Sequence, residues 1–349
     1  MIRVSDIAKE LNLSRVTVSA ILNNRYQKLG ISEKTAERVR LVAKKIGYVP
    51  NKNALSMKSG RSMTIGMLSS ALPEGWGARI LIGALDAVKD TPYSLRIEAV
   101  QGAVEEKQAL ESLLGSRIEG LFCCNINPAP ETDSFFKTAT ERYNVAVAST
   151  NCAFSFPHTR VESNNSGGVN LLLEHLVEKG HERIAHIGGD ELSESSRERA
   201  KAFRAGIKKH QLNSADCAVL LSNWDINKAR DHARAILRKD NAPSAILCAN
   251  DSIAACVLQV ANELNLQVPE VLSVVGMSNE RISTLTTPEI TTVDIPGEQI
   301  GYAAVTALIK AIENKEDTTA ETLTRHNCKL VVRNSCALNI SDRDQSIKL

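Results

Sequence analysis

No run of about eighteen consecutive apolar residues occurs in the 349-residue chain, so no segment is apolar enough to cross a bilayer as a helix. The opening Met1-Ile2-Arg3-Val4-Ser5-Asp6 lacks the apolar core of a secretory signal, and a cytoplasmic protein is expected. Aromatic residues are scarce at 4 %, with Trp76 and Trp224 the only tryptophans. The eight cysteines form no CxxC pair and sit in apolar runs such as Leu121-Phe122-Cys123-Cys124. They read as small buried hydrophobes in a reducing compartment. The seven histidines give no HExxH or paired zinc spacing, so neither metal nor other cofactor is expected. GxGxxG is missing after the first apolar strand, where Ile65-Gly66-Met67-Leu68-Ser69-Ser70 has a single glycine. GxxxxGK[ST] and GxSxG are missing too. A dinucleotide dehydrogenase, a P-loop NTPase and an elbow-type hydrolase are thereby disfavoured, and the chain is not expected to be an enzyme.

What is present is ordinary globular composition, 43 % hydrophobic and 23 % charged, over a length that suits two to three domains. The net charge of +2 conceals an asymmetry. Residues 1–61 hold thirteen Lys/Arg against four Asp/Glu, whereas the remainder holds twenty-nine against thirty-six. A small basic head on a mildly acidic body is the pattern of a nucleic-acid-binding module attached to something else.

The head carries the most specific signal. Val4, Ile7, Ala8 and Leu11 recur at helical spacing. Asn12-Leu13-Ser14 supplies a residue tolerant of left-handed backbone and then an N-cap. A second helix is predicted from Arg15 to Leu22 with Val18, Ile21 and Leu22 inward. A third runs from Glu33 to Ile46, capped by Ser32, with Val39, Val42, Ala43 and Ile46 inward. Two short helices across a three-residue turn, followed by a third, make a helix-turn-helix domain.

Asp6-Ile7-Ala8 with Leu13-Ser14-Arg15-Val16-Thr17-Val18-Ser19-Ala20-Ile21-Leu22-Asn23 resembles the head of the lactose/galactose repressor family. The similarity continues through Gly47-Tyr48-Val49-Pro50-Asn51, Thr64-Ile65-Gly66, Gly180–Gly189, Ala249-Asn250-Asp251, Ser273–Gly276 and Leu330–Arg333. From Met63 onward short apolar runs alternate with amphipathic stretches, which predicts βαβ units and parallel sheets covered by helices. Some 280 residues exceed one compact core, so two lobes are expected. The resemblance implies a periplasmic-binding-protein-like body crossed three times by the chain, near Glu162, Val293 and Thr324, with a ligand cleft between its lobes. The expected division is a DNA-binding domain at 1–50, a hinge helix at 51–62 and a body at 63–336. Lobe 1 is expected at 63–161 plus 294–323, lobe 2 at 162–292 plus 325–336, and a tail at 337–349.

The second helix of a helix-turn-helix enters the major groove with its N-terminal side chains at the base edges. By resemblance, Arg15, Val16 and Ala20 occupy the base-reading positions. Arg15 suits the two acceptors of guanine, and the two apolar side chains suit a thymine methyl. Ser14, Thr17, Ser19 and Asn23 are placed to hold phosphates. Ala20 stands where relatives commonly have a basic side chain, and the loop Asn24–Ile31 looks about three residues longer than the common form. In the hinge, Ala54 and Met57 occupy the minor-groove positions, with Met57 a candidate wedge between base steps.

The resemblance also implies an effector site. Ser195-Ser196-Arg197-Glu198-Arg199 matches the cleft motif, with Arg199 as the gripping guanidinium. Trp76, Trp224 and Asn250 fall at lining positions. Ser149 and Ser278 stand where relatives often carry aspartate. Without those carboxylates Arg199 is expected to favour an anionic sugar-sized ligand over a neutral one. The reading is thus a homodimeric, effector-controlled transcriptional regulator on a near-palindromic operator. A free-standing sugar-binding protein of the periplasmic type and a sugar-modifying enzyme are the rivals. The basic head and the missing signal segment argue against the first, and the lack of paired catalytic carboxylates or a metal set argues against the second.

Overall fold

The computed structural model describes residues 2–49, 60–70, 72, 75–152, 154–314 and 321–339, and the chain divides into two compact units, Met1–Ser62 and Met63–Leu349. The hinge positions Ala54 and Met57 lie outside the described residues.

The first unit contains α1 (Val4–Leu11), α2 (Arg15–Leu22) and α3 (Glu33–Lys45). Asn12, at φ 51°, ends α1 in the left-handed region, where asparagine is tolerated better than most residues. Ser14 opens α2 by accepting the Thr17 N–H at 2.9 Å, and Ser32 opens α3 the same way with Thr35. Ile46 caps α3 rather than extending it. Ile7, Ala8, Val18, Ile21, Ala36, Val39 and Ala43 form the core, joined by Tyr26 from the α2–α3 connection.

The second unit alternates strand and helix. Its first part runs β1 (Thr64–Ser69), α4 (Gly75–Val88), β2 (Ser94–Ala99), α5 (Ala103–Gly115), β3 (Gly120–Cys124), α6 (Pro130–Tyr143), β4 (Ala146–Thr150) and β5 (Thr159–Ser163). The middle holds α7 (Asn165–Glu178), β6 (Ile184–Gly188), α8 (Glu194–Lys209), β7 (Val219–Leu221) and α9 (Ile226–Leu237). Next come β8 (Ala245–Cys248), α10 (Asp251–Glu263) and β9 (Ser273–Val275). The chain then returns through β10 (Thr292–Asp294), α11 (Gly297–Asn314), β11 (Thr322–His326) and β12 (Lys329–Val331).

Two parallel sheets result, ordered β11-β5-β4-β3-β1-β2 and β7-β6-β8-β9, with an antiparallel β10–β12 pair. Both faces of the first sheet are covered, which is why β3 is a continuous apolar run. Ile65, Met67, Phe122 and Ala148 face α4 and α11, while Leu68, Leu121, Cys123 and Val147 face α5 and α6. Gly83 and Gly301 let α4 and α11 meet closely. A β-carbon on Gly83 would overlap the Glu298 carbonyl oxygen, and one on Gly301 the Ile80 carbonyl oxygen.

The three crossings follow β5, accompany β10 and follow β11. Glu162 lies inside β5, one residue before its end, and Val293 inside β10. The third falls later than Thr324, because β11 stays paired with β5 through His326 opposite Ser163. There the crossing strands are tied by the Asn164 N–H to the His326 carbonyl at 2.8 Å. The expected tail boundary also moves. Asn339 donates its N–H to the Lys179 carbonyl, and Ala337 donates to Ser273 Oγ, so residues through 339 belong to lobe 2.

Candidate functional site

Each unit has its own candidate site. On α2, Arg15 is exposed with no hydrogen-bond or ion-pair partner among the described residues, and Val16 beside it is 71 % exposed. Ser14 and Thr17 bond each other, with their hydroxyl oxygens 2.8 Å apart. Ser19 and Thr17 are half-buried. The Asn23 amide donates to the Ser19 carbonyl at 2.7 Å, closing the end of the helix. Ala20 departs from the expectation: it is only 8 % exposed, and its carbonyl takes the Arg25 N–H at 2.8 Å. Its short side chain is turned into the domain, leaving Val16 as the apolar group that α2 presents.

In the body, α8 is opened by Ser193, whose Oγ lies 2.9 Å from Ser195 Oγ. Ser195, Ser196 and Arg199 share the buried face of that helix, as their i, i+3 and i+4 spacing requires. Arg199 is 5 % exposed and meets only neutral acceptors. Nε donates to Asn165 Oδ1 at 2.9 Å and Nη1 to the Ala249 carbonyl, next to Asn250. Desolvation pulls its pKa down to about 10, which leaves it charged at neutral pH. The expectation of uncompensated charge on Arg199 is corrected in part, because Glu198, Glu280 and Asp251 all act on it electrostatically. Asp251 is already engaged, accepting from Thr292 Oγ1 at 2.6 Å and from the Glu280 N–H at 2.7 Å.

Other positions expected at the cleft fall out differently. Trp76, in the first turn of α4, is nearly buried and its Nε1 has no partner among the described residues. Its neighbour Gly75 lies close to the Glu280 side chain. Trp224, at φ 58°, lays its indole over Gly189, where a β-carbon would collide with the ring. Asn250 spends its Oδ1 capping α10 through the Ile253 N–H at 2.8 Å. Ser278 sits at φ 111° and is held by its N–H to the Val293 carbonyl at 2.9 Å. Its own carbonyl accepts from Arg79 Nη1 at 3.1 Å. Ser149 does not belong with them. Its hydroxyl bonds His158 Nε2 at 2.8 Å, while His158 Nδ1–H donates to the Phe156 carbonyl at 2.7 Å. Strand alternation puts it on the α5–α6 side of β4, in register with Arg160 of β5, and Asn151, at φ 51° past the strand end, donates its N–H to Glu162.

Ion pairs between the lobes were not legible as a site. Arg160 on β5 grips both oxygens of Glu194 at the start of α8, at 2.7 and 2.8 Å. Arg325 on β11 reaches Glu198 at 3.4 Å, and the Asn165 amide also donates to Glu198, at 3.1 Å. Asn165 therefore links Arg199 to the clamp. Glu162, between these groups, is pushed up to about 7 chiefly by burial, although it accepts the Asn151 N–H at 2.9 Å. Separately, an open groove of about 730 Å³ on the outer side of α4 and α11 is lined by Ile82, Leu85, Lys89, Tyr302 and His326 among others.

A helix-turn-helix unit and a two-lobed α/β body with a buried arginine between its sheets define a ligand-binding regulatory protein. Residues 3–51 match the bacterial regulatory proteins of the lacI family, and residues 173–336 match the periplasmic binding protein-like domain. The chain thus joins a lacI-type DNA-binding head to a periplasmic-binding-protein-like body. The ribose operon repressor of Escherichia coli (strain K12) is 28 % identical over 316 residues, covering 89 % of this chain and 93 % of the relative. The repressor PurR of Aliivibrio salmonicida (strain LFI1238) is 25 % identical over 320 residues, covering 90 % and 93 %. Among solved structures, the Lac repressor dimer bound to operator and the anti-inducer ONPF superposes with a TM-score of 0.84. It is 23 % identical, with 96 % of this chain and 99 % of that one covered. The CelR–cellobiose complex gives 0.71 at 21 % identity, covering 96 % and 100 %.

Proposed function

We propose that this chain is a cytoplasmic transcriptional repressor that binds a near-palindromic operator as a homodimer and is controlled by a sugar-like effector held between its lobes. The observation that carries the reading is the pairing, in one chain, of an exposed, unpartnered Arg15 on α2 with a buried Arg199 on α8. The first suits a guanine edge and the second a polar ligand. One head serves one half-site, so two copies serve a symmetric site. The exposed Ile82, Leu85 and Tyr302 along α4 and α11 form the face assigned to the second copy. A Lac repressor structure is described as a dimer, which supports that choice of occupant. Relatives are described as a ribose operon repressor and as a regulator in complex with cellobiose, which supports a sugar.

Arg199, Trp76 Nε1, Ser196 Oγ and Trp224 are the groups proposed to engage the ligand. Because the direct partners of Arg199 are neutral, a carboxylate or phosphate on the sugar supplies its first hydrogen-bonded anion. Electrophoretic shifts on the promoter beside the gene, with and without candidate sugars, test the regulator. Isothermal titration of the full chain with paired neutral and anionic sugars tests the ligand. Arg199→Ala is expected to cost at least tenfold in effector affinity and leave operator binding intact; unchanged affinity would remove Arg199 from the site.

A further inference from the structure

The connection from α2 to α3, residues 23–32, is longer than the turn on the other side of α2, yet it is tightly built. Asn24 turns the chain at φ 52°, and the Arg25 N–H returns to the Ala20 carbonyl at 2.8 Å. Tyr26 is then buried in the domain core and donates its hydroxyl to Glu33 Oε2 at 2.6 Å. Arg40 stacks 5.2 Å from the centre of the Tyr26 ring, bonds Glu33 at 3.0 Å and reaches Asn24 Oδ1 at 3.4 Å. A single 3-10 turn over Gln27–Leu29 follows, closed by Gly30 at φ 67°. The loop is thus pinned at its start and at its middle.

Its two basic side chains take no part in that pinning. Arg25 and Lys28 are exposed, with no hydrogen-bond or ion-pair partner among the described residues. Of the head's four carboxylates, Glu33 holds Tyr26 and Arg40, Glu10 faces Lys45, Asp6 accepts the Arg3 N–H, and Glu37 pairs with neither cation. Two free cations on a preordered loop directly after the groove-reading helix lose little entropy on meeting a fixed anion.

We propose that this loop is a phosphate-backbone clamp, in which Arg25 and Lys28 each neutralise one DNA phosphate beside the half-site read by α2. The proposal rests on the DNA-binding reading above. It assigns these residues to affinity and not to sequence preference.

The test is fluorescence anisotropy of the full chain on two labelled duplexes, a promoter fragment that it shifts and an unrelated sequence of equal length, between 50 and 200 mM salt. Each released phosphate contact lowers the slope of log affinity against log salt by about 0.9. The Arg25→Gln/Lys28→Gln double variant should therefore lose roughly 1.8 from the slope, so that its affinity varies roughly tenfold less across that range. Both duplexes should be affected alike, and Arg25→Lys/Lys28→Arg should restore the slope. Thermal melting of each variant verifies the fold, and Lys28→Gln alone should take half the effect. An unchanged slope in the folded double variant, with wild type still bound, overturns the clamp and leaves the regulator reading standing. A loss confined to the promoter duplex also overturns it, because the two residues would then read sequence. No affinity of wild type for either duplex at 50 mM salt overturns both.

Discussion

Arg15 and Arg199 place the same planar guanidinium in opposite settings, one left in solvent and one desolvated. Arg15→Ala should weaken operator binding by about 1–3 kcal/mol and relax preference at a single guanine. A binding-site selection with the variant checks this, and an equal loss on all sequences would make Arg15 a phosphate contact. Glu162 offers a prediction of a different sort. Its folded pKa is raised from 4.5 to about 7, so the folded state binds the extra proton between those values. The contribution of Glu162 to stability therefore falls as pH rises through that window and stays low above it. Glu162→Gln keeps an acceptor for the Asn151 N–H and removes the buried charge. Denaturant titration should show the variant level with wild type near pH 5 and more stable at pH 8, by on the order of 3 kcal/mol at most. Loss of stability at pH 8 would mean that attraction to Arg160 outweighs burial. Caps such as Ser14 and Asn12 were readable because their signals are local. Ser149, assigned by position, is buried and spends its hydroxyl on His158. Asn250 and Ala20 were assigned by position, yet one is spent on a cap and the other turned inward.

At the scale of elements, the contact between α4 and α11 brings backbone against backbone at Gly83 and Gly301, beside the packed side chains of Ile80, Ala84, Ile300 and Ala304. Gly83→Ala should destabilise the body by about 1–3 kcal/mol or more, because the added methyl meets the carbonyl of Glu298, which cannot swing away. Thermal unfolding of the variant checks it, and a neutral result would show that the helices slide apart freely. Strands with apolar runs, such as Gly120–Cys124 and Ala245–Cys248, were legible at their bounds. Strand β11, Thr-Leu-Thr-Arg-His at an exposed sheet edge, was not, because an edge strand needs little apolar patterning. The pairs Arg160–Glu194 and Arg325–Glu198 were invisible for another reason: each joins residues far apart in the chain, and only the topology brings them together.

At the scale of the whole molecule, assigning the α4–α11 face to a second copy has a direct consequence. Leu85→Glu with Tyr302→Glu should shift the protein to monomers in sedimentation and cut operator affinity at least tenfold, while effector affinity stays unchanged. A persistent dimer would move the interface elsewhere. The three crossings carry one more consequence, for the order in which the chain is made. The head owns a complete core within its first forty-nine residues and can close as soon as they emerge. Lobe 1 cannot: its edge strand β11 and its covering helix α11 come from residues 297–326, after nearly all of lobe 2. At ribosomal rates of about 5–20 residues per second, the face of lobe 1 that receives α11 waits roughly ten to thirty seconds for its cover. During translation the newest part of the protein must fold back to finish one of the oldest, so the nascent body is exposed to aggregation at Ile65, Met67 and Phe122 until α11 is in place.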